Sequence, residues 1–157
     1  MKVCVISDSH NGMSALRAAV KAAGGVDCYI HLGDVVGDAR ALGEMTGLPV
    51  YAVRGNCDWS LEYETEDVLT LSGARLFITH GHKYNVNGGT YALAARAQEL
   101  CCMAALYGHT HVSSIEADGA LIIVNPGSPT TPRLGRKRSV ALLTIEGGEV
   151  YPRIVTF

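Results

Sequence analysis

This chain has few charged and few aromatic residues, and it has no long apolar run. Charged side chains make up 18% of its 157 residues and aromatic ones 6%, and the formal net charge is −2. A chain so close to neutral has no overall attraction for nucleic acid or anionic membrane, so we expect neither as an extended partner. No apolar run approaches the roughly 20 residues that cross a bilayer. Any phosphate group must therefore be bound by a local site.

Cysteine is also scarce and shows no pairing pattern. The five cysteines are an odd number, none forms a Cys-x-x-Cys pair, and Cys101 and Cys102 are adjacent. This usage favours a reduced compartment, and the apolar run at residues 1–6 is too short for a signal peptide. We expect a cytoplasmic protein. Repeats, low-complexity tracts and linkers are all missing, which predicts a single domain over residues 1–157.

The apolar pattern predicts an α/β protein. Apolar runs typical of buried strands alternate with helical patterns in the first third of the chain, at residues 2–7, 14–23, 28–32, 39–45 and 49–53. Strand pairs then flank turn signals at Ser72-Gly73, Asp118-Gly119 and Gly147-Gly148, with a helix at 91–100 and a strand at 103–107 between the first two. This order predicts two packed sheets with helices outside.

The residues that could carry chemistry follow the predicted strands. Five of the six histidines fall in three short patches, and acidic or amide residues follow other strands; in chain order the patches are Asp8-x-His10, Gly33-Asp34, Gly55-Asn56-Cys57-Asp58, His80-Gly81-His82 and Gly108-His109-Thr110-His111. Ligand sites in open α/β sheets form where the carboxyl ends of strands meet. Any single patch has an ordinary structural explanation, a turn or a hydrogen-bonded histidine. Their joint occurrence favours a common site.

Residue spacing and type indicate a metal centre. Residues i and i+2 of an extended segment point to one side, so we expect Asp8 with His10, and His109 with His111, each to aim at one point. Mixed oxygen and nitrogen donors suit Mn, Fe, Zn or Co better than Mg or a soft metal. Seven candidate ligands are too many for one ion and fit two ions that share a carboxylate, roughly 3.5–4 Å apart.

The five patches, in this order, resemble the calcineurin-like metallophosphoesterase superfamily, especially its small YfcE-type phosphodiesterases. The resemblance runs from Asp8 to about Pro129. It implies a four-layer αββα sandwich of two mixed sheets flanked by helices, with a dinuclear site. It also implies two divalent ions, with Mn favoured over Ni, Fe, Zn or Co. The implied ligands are Asp8, His10 and His111 for one ion, Asp34 for both, and Asn56, His80 and His109 for the other.

The implied catalytic residues depart from the wider family at one position. Many members have a histidine at the position of Cys57, where it is proposed to protonate the leaving group. A thiol with a pKa near ~8.5 is a poor substitute, which favours good leaving groups or another proton donor. His82 is the candidate donor and, with Asn56, a candidate substrate contact; the alternative is a hydrogen-bond partner of a ligand. Cys57 could instead be simply buried, and Asp58 would orient a neighbouring ligand.

Two later segments have both a functional and an ordinary interpretation. Residues 125–128 resemble a loop that borders the site in these small enzymes, although Pro126-Gly127 would form a turn anyway. The only basic cluster is Arg133, Arg136, Lys137 and Arg138. Such clusters are usually solvated loops, and phosphate contact is the alternative.

These expectations define a function. The chain would be a metal-dependent phosphoesterase, with a phosphodiesterase favoured, in which a hydroxide held between two metals attacks a small phosphate ester. One alternative is a phosphomonoesterase. The other is a non-catalytic protein-interaction scaffold of the same fold, as in the retromer subunit that resembles this family. A homodimer is possible, as it is common among small members of the family.

Overall fold

Ten strands form two five-stranded sheets in this computed structural model, which describes residues 1–157. The strands in chain order are β1 (Lys2–Ile6), β2 (Cys28–His31), β3 (Val50–Ala52), β4 (Glu66–Leu71), β5 (Ala74–Thr79), β6 (Ala104–Leu106), β7 (Ser114–Asp118), β8 (Leu121–Asn125), β9 (Ser139–Glu146) and β10 (Glu149–Thr156). The first sheet has the order β10-β9-β1-β2-β3 and the second β4-β5-β6-β8-β7. Both sheets are mixed: β1-β2-β3 and β5-β6-β8 are parallel, and the other pairs are antiparallel.

Three α-helices cover the outer faces of the sheets. They are α1 (Met13–Ala23), α2 (Gly37–Thr46) and α3 (Tyr91–Glu99), and a short 3-10 helix spans His82–Tyr84. Helix α1 ends at Gly24, whose φ of 70° is readily adopted by glycine. The helices α1 and α2 pack on the first sheet and α3 on the second. No helix has both the length and the apolar character that crossing a membrane requires.

Strand β1 is apolar from Val3 to Ile6 because both of its faces are buried. Its side chains alternate between two cores: Val3 and Val5 pack between the two sheets, whereas Cys4 and Ile6 pack beneath α1 and α2. All four are fully buried. Because both faces of the first sheet are covered, its central strand carries no polar alternation. The four-layer αββα sandwich expected from the sequence is confirmed.

The predicted element boundaries agree with the structure to within about two residues. The sequence did not specify which sheet the β9–β10 hairpin joins. This hairpin joins the first sheet, where β9 pairs antiparallel with β1.

The five cysteines are free; Cys57 and Cys101 are exposed.

The carboxyl ends of the parallel strands of both sheets meet at one edge. The Asp8 N–H, after β1, donates to the Gly33 carbonyl at 3.1 Å, and the Gly108 N–H, after β6, donates to the His80 carbonyl at 3.0 Å. The loops that follow β1, β2, β3, β5 and β6 therefore lie side by side. This edge holds all five patches.

Candidate metal centre

A first group of donors lies at this edge: one ligand atom from each of Asp8, His10, Asp34 and His111 falls within 4.8 Å of all the others. His111 Nε2 lies 3.2 Å from Asp8 Oδ1 and 3.4 Å from His10 Nε2. His10 Nε2 lies 3.9 Å from Asp34 Oδ2. His10 is partly exposed, and the other three are buried. Two carboxylates and two imidazoles thus form a candidate metal-binding cluster.

A second group shares Asp34 with the first. Asp34 Oδ1 lies 3.3 Å from His80 Nε2, and His80 Nε2 lies 3.3 Å from His109 Nδ1. The two oxygens of one buried carboxylate therefore face two separate groups of histidines.

Hydrogen bonds fix the protonation of two of these histidines. The Nδ1 atoms of His80 and His111 lie 2.8 Å from the carbonyl oxygens of Leu32 and Thr131, respectively. A carbonyl oxygen only accepts, so each Nδ1 carries the proton, and each neutral ring has a lone pair on Nε2. Such a backbone contact on the other ring nitrogen is typical of histidines that bind metals.

The inward-facing atoms need a positive charge between them. Asp8 Oδ1 is buried without a hydrogen-bond partner, although His111 Nε2 is 3.2 Å away. Two electron pairs in such proximity repel each other unless a proton or a metal cation lies between them. Consistently, the adjacent Asp8 carboxylate raises the pKa of His111. This donor chemistry fits a divalent cation.

The pKa shifts of Asp8, His109 and His82 are consistent with a cation site. Burial raises the pKa of Asp8, but hydrogen bonding and charge from His111 and His80 outweigh it, and the net shift is downward. Burial, followed by the neighbouring His80, lowers the pKa of His109 and of His82. Carboxylates and neutral imidazoles are the forms that bind metals, and the lowered pKa values of Asp8 and His109 favour these forms.

The expected extended geometry of the Asp-x-His and His-x-His patches is wrong. Asp8, His10, His109 and His111 have φ angles of 57°, 47°, 69° and 59°, and Asp34 has 57°. These left-handed conformations cost non-glycine residues on the order of 1–3 kcal/mol each. The curled backbone sends His109 to the second group and His111 to the first, rather than both to one point. Strain concentrated in five donors is typical of a functional site.

Two glycines let the backbone approach the carboxylates. A Cβ at Gly108 would lie 1.9 Å from Ser7 Oγ and 2.8 Å from Asp8 Oδ2, and one at Gly55 would lie 2.2 Å from Asp34 Oδ1. The close approach allows backbone N–H groups to hold the acids. His109 N–H donates to Asp8 Oδ2 at 3.0 Å, and Cys57 N–H donates to Asp34 Oδ1 at 3.1 Å.

Asp58 joins two of the loops. Its carboxylate accepts hydrogen bonds from the backbone N–H groups of Asp34, Val36 and Gly55, at 3.0, 2.7 and 2.8 Å. These contacts fix the Gly-Asp loop against the Gly-Asn-Cys-Asp loop. The structure places Asp58 outside both donor groups, where it orients Asp34.

The other three predicted site residues lie at the rim. Asn56 and Cys57 are exposed, and the hydrogen bond of the Asn56 amide is to Cys57 Sγ at 3.5 Å, not to a donor of the second group. Burial and then the nearby Asp34 raise the pKa of Cys57 to about 11. The His82 ring centre lies 5.5 Å from that of His80 and 6.3 Å from that of His109, and its Nδ1 is buried without a partner.

The sequence analysis missed a supporting histidine. His31 is fully buried, accepts the Gly33 N–H at Nδ1 (3.3 Å) and donates from Nε2 to Ser9 Oγ (2.8 Å). It thereby links the loops that carry Asp8 and Asp34. His31 is the last residue of strand β2, whereas the polar patches that predict the site follow the strand ends.

The loop after β8 also supports the centre. Asn125 donates from Nδ2 to the Gly108 carbonyl at 3.0 Å, and Ser128 donates from Oγ to the Asp8 carbonyl at 2.8 Å. Ser128 and the Thr131 carbonyl on His111 thus fix two donors of the first group, and Asn125, the last residue of β8, holds the backbone that precedes His109. The segment at 125–128 therefore contacts the centre.

Sequence comparison identifies relatives with a consistent description. The calcineurin-like phosphoesterase superfamily domain matches residues 1–148. The probable metallophosphoesterase YsnB of Bacillus subtilis is 34% identical over 148 residues, which cover 93% of this chain and 85% of YsnB. The phosphodiesterase YfcE of Escherichia coli K12 is 32% identical over 168 residues, which cover 91% of this chain and 87% of YfcE.

Solved structures agree in fold. A predicted phosphoesterase of Streptococcus pneumoniae TIGR4 superposes with a TM-score of 0.82 at 29% identity, covering 99% of this chain and 88% of the other. Vps29 of Entamoeba histolytica, in complex with zinc, superposes with a TM-score of 0.78 at 22% identity and covers 99% of both chains. At 22% identity, the similarity to Vps29 shows a shared fold and nothing more.

Proposed function

Since the chain belongs to the calcineurin-like phosphoesterase superfamily, we propose that it is a phosphodiesterase that depends on two divalent metal ions, with Mn favoured. The observation that carries the proposal is the position of Asp34, whose two oxygens face two groups of donors. Asp8, His10 and His111 would hold one ion, Asn56, His80 and His109 the other, and Asp34 both. When bound, two such ions supply positive charge and an activated water near neutral pH.

The chain itself supplies orientation and hydrogen bonds. The carbonyls of Leu32 and Thr131 hold the rings of His80 and His111, so that their Nε2 lone pairs face inward. This preorganisation removes the cost of rearranging the donors when charge develops on a phosphoryl group. His82, whose buried Nδ1 has no partner, would hydrogen-bond a phosphoryl or ester oxygen.

Cys57 bears on which leaving groups the chain would accept. A thiol with a pKa of about 11 is too weak an acid to protonate a departing alkoxide efficiently near pH 7. The chain would therefore favour esters whose leaving groups need little protonation, such as aryl esters. The preference for diesters over monoesters is supported by the homologous YfcE, which carries the name phosphodiesterase.

A protein-interaction scaffold is the second candidate, because Vps29 shares the fold. Against it stands the donor set: two carboxylates and four histidines lie at one edge of the sheets. A scaffold has no need for the strained conformations that bring these donors together.

The test is a matrix of metals and substrates. Protein stripped of metal and reloaded separately with Mn, Ni, Fe, Zn and Co would be assayed with bis(p-nitrophenyl) phosphate and p-nitrophenyl phosphate. We expect hydrolysis of the diester to depend on added metal and to exceed that of the monoester. Metal binding without hydrolysis of either ester would refute the enzymatic function and favour the scaffold.

A further inference from the structure

We infer that an open cavity beside the metal centre binds the uncharged, ring-bearing ester group of a phosphate-ester ligand. The inference rests on the proposed function for the position of the phosphate. The cavity has a volume of about 410 Å³, within the range of roughly 300–1,000 Å³ that is usual for small-molecule sites. A single ring system bound to a phosphate requires a space of this order.

The cavity shares a wall with the metal centre. Thr110 lines it, and this residue stands between His109 and His111. Arg133 also lines it, and the Arg133 N–H donates to the His111 carbonyl at 3.2 Å. A phosphate at the metal centre would thus have a cation and the cavity as neighbours.

The apolar part of the lining suits a ring. Val86 and Tyr107 are buried in the wall, and Val112 is partly buried. At the rim, Leu134 is 85% exposed and has a φ of 51°, a conformation that is unfavourable for leucine. A large apolar side chain held in this conformation at the mouth of a cavity gains burial only when a ligand covers it.

The polar part of the lining limits the charge of the bound group. Glu116 and Asn87 are exposed lining residues, and Glu116 accepts a hydrogen bond from the Thr90 hydroxyl at 3.2 Å. A carboxylate at this position repels a second anionic group and accepts hydrogen bonds from N–H or O–H donors. The ester group is therefore uncharged, a nucleoside or a simple aryl group, rather than a sugar phosphate.

The experiment measures binding independently of catalysis. Titration calorimetry would compare adenosine 5′-monophosphate, phenyl phosphate and methyl phosphate, each with metal-free and with Mn-loaded protein. Both ring-bearing ligands should bind at least about tenfold more tightly than methyl phosphate, because the ring buries apolar surface in the cavity. If the nucleotide binds more tightly than phenyl phosphate, the ester group bound in the cavity is a nucleoside. If the two bind equally tightly, it is a simple aryl group.

Matched variants locate the binding. Asn87→Trp fills the cavity from its exposed rim, and Leu134→Gly removes the apolar rim while relieving the φ strain. Both variants should abolish the tighter binding of the ring-bearing ligands without weakening the binding of methyl phosphate. Arg133→Gln should weaken all three ligands, whereas Arg136→Gln, a variant of an exposed arginine outside this cavity, should weaken none.

Two results would overturn the inference. One is equal affinity for the three ligands, and the other is a ring advantage that survives both Asn87→Trp and Leu134→Gly. Neither depends on hydrolysis: absence of diester hydrolysis in the Mn-loaded protein would refute the proposed function alone, and ring-selective binding would still support the cavity.

Discussion

Asp34 directs its two carboxylate oxygens at two different histidines, Oδ2 at 3.9 Å from His10 Nε2 and Oδ1 at 3.3 Å from His80 Nε2. Asp34 holds this position because Asp58 accepts its backbone N–H and the Cys57 N–H donates to Oδ1. Two loops from neighbouring strands thus fix one side chain.

His82→Ala should lower turnover of bis(p-nitrophenyl) phosphate by about 10²-fold or more, because a positioned hydrogen-bonding group at the ester would be lost. Metal content should stay at the wild-type value, since His82 belongs to neither donor group. Steady-state kinetics and elemental analysis provide the two readouts, and Lys83→Ala, at the exposed neighbour, is the control. Unchanged turnover would reduce His82 to a structural residue.

Cys57→His should raise activity toward a monoester with a poor leaving group, phenyl phosphate, relative to p-nitrophenyl phosphate, whose leaving group needs no proton. The thiol, with its pKa of about 11, would be replaced by an imidazole that titrates much closer to neutral pH. The ratio of kcat/KM values for phenyl phosphate and p-nitrophenyl phosphate measures the effect. Cys101→His, at another exposed cysteine, should leave the ratio unaltered. If Cys57→His also leaves it unaltered, position 57 is remote from the leaving group.

Gly108→Ala should destabilise the protein by about 1–3 kcal/mol, the usual cost of overpacking, and should weaken metal binding. The added Cβ would meet Ser7 Oγ at 1.9 Å and crowd Asp8 Oδ2 at 2.8 Å. Urea unfolding and metal titration measure the two effects. Gly37→Ala is the matched control, because no atom lies within 4 Å of its added Cβ. Equal stability of the two variants would contradict the packing described for Gly108.

His31 should make stability depend on pH. Burial holds the pKa of this histidine in the fold below its usual 6.5, so the unfolded chain takes up a proton first as the pH falls. The stabilisation is present above pH 6.5 and is lost below it, by up to about 1.4 kcal/mol per pH unit.

Urea unfolding of metal-free protein at pH 7.5 and pH 5.5 would measure this loss. Because other groups also titrate in this range, the comparison is with His31→Asn, which lacks the titrating imidazole. The wild type should lose more free energy of unfolding between the two pH values than the variant does. An equal loss would mean that His31 titrates alike in the folded and unfolded chains.

The sequence predicted the elements well where burial dictates the pattern. Strand β1 lies between two apolar cores, so its composition alone indicates a buried strand. The position of β9 beside β1 was not predictable, because a hairpin signal defines its own two strands but not the sheet edge that they join. Pairing over more than 130 residues of separation, as in Val3 with Leu143, leaves no local signal.

The site was predictable in its residue types and not in its geometry. Strand-end position placed Asp8 and Asp34 at one edge, because parallel strands share their carboxyl ends. The i, i+2 rule failed for His109 and His111, since it assumes an extended backbone and these residues have positive φ. The role of His31 was not predictable, because it depends on tertiary contacts with the Ser9 and Gly33 loops.

The most direct test of the account is the number of metal ions bound per chain by the wild type and by Asp34→Asn. Elemental analysis after reloading with Mn should give two ions for the wild type, and two for Asp118→Asn at an exposed carboxylate that bonds Gln98. Asp34→Asn should hold neither ion firmly and should lose nearly all diester hydrolysis. Two retained ions with full activity in Asp34→Asn would contradict the shared carboxylate.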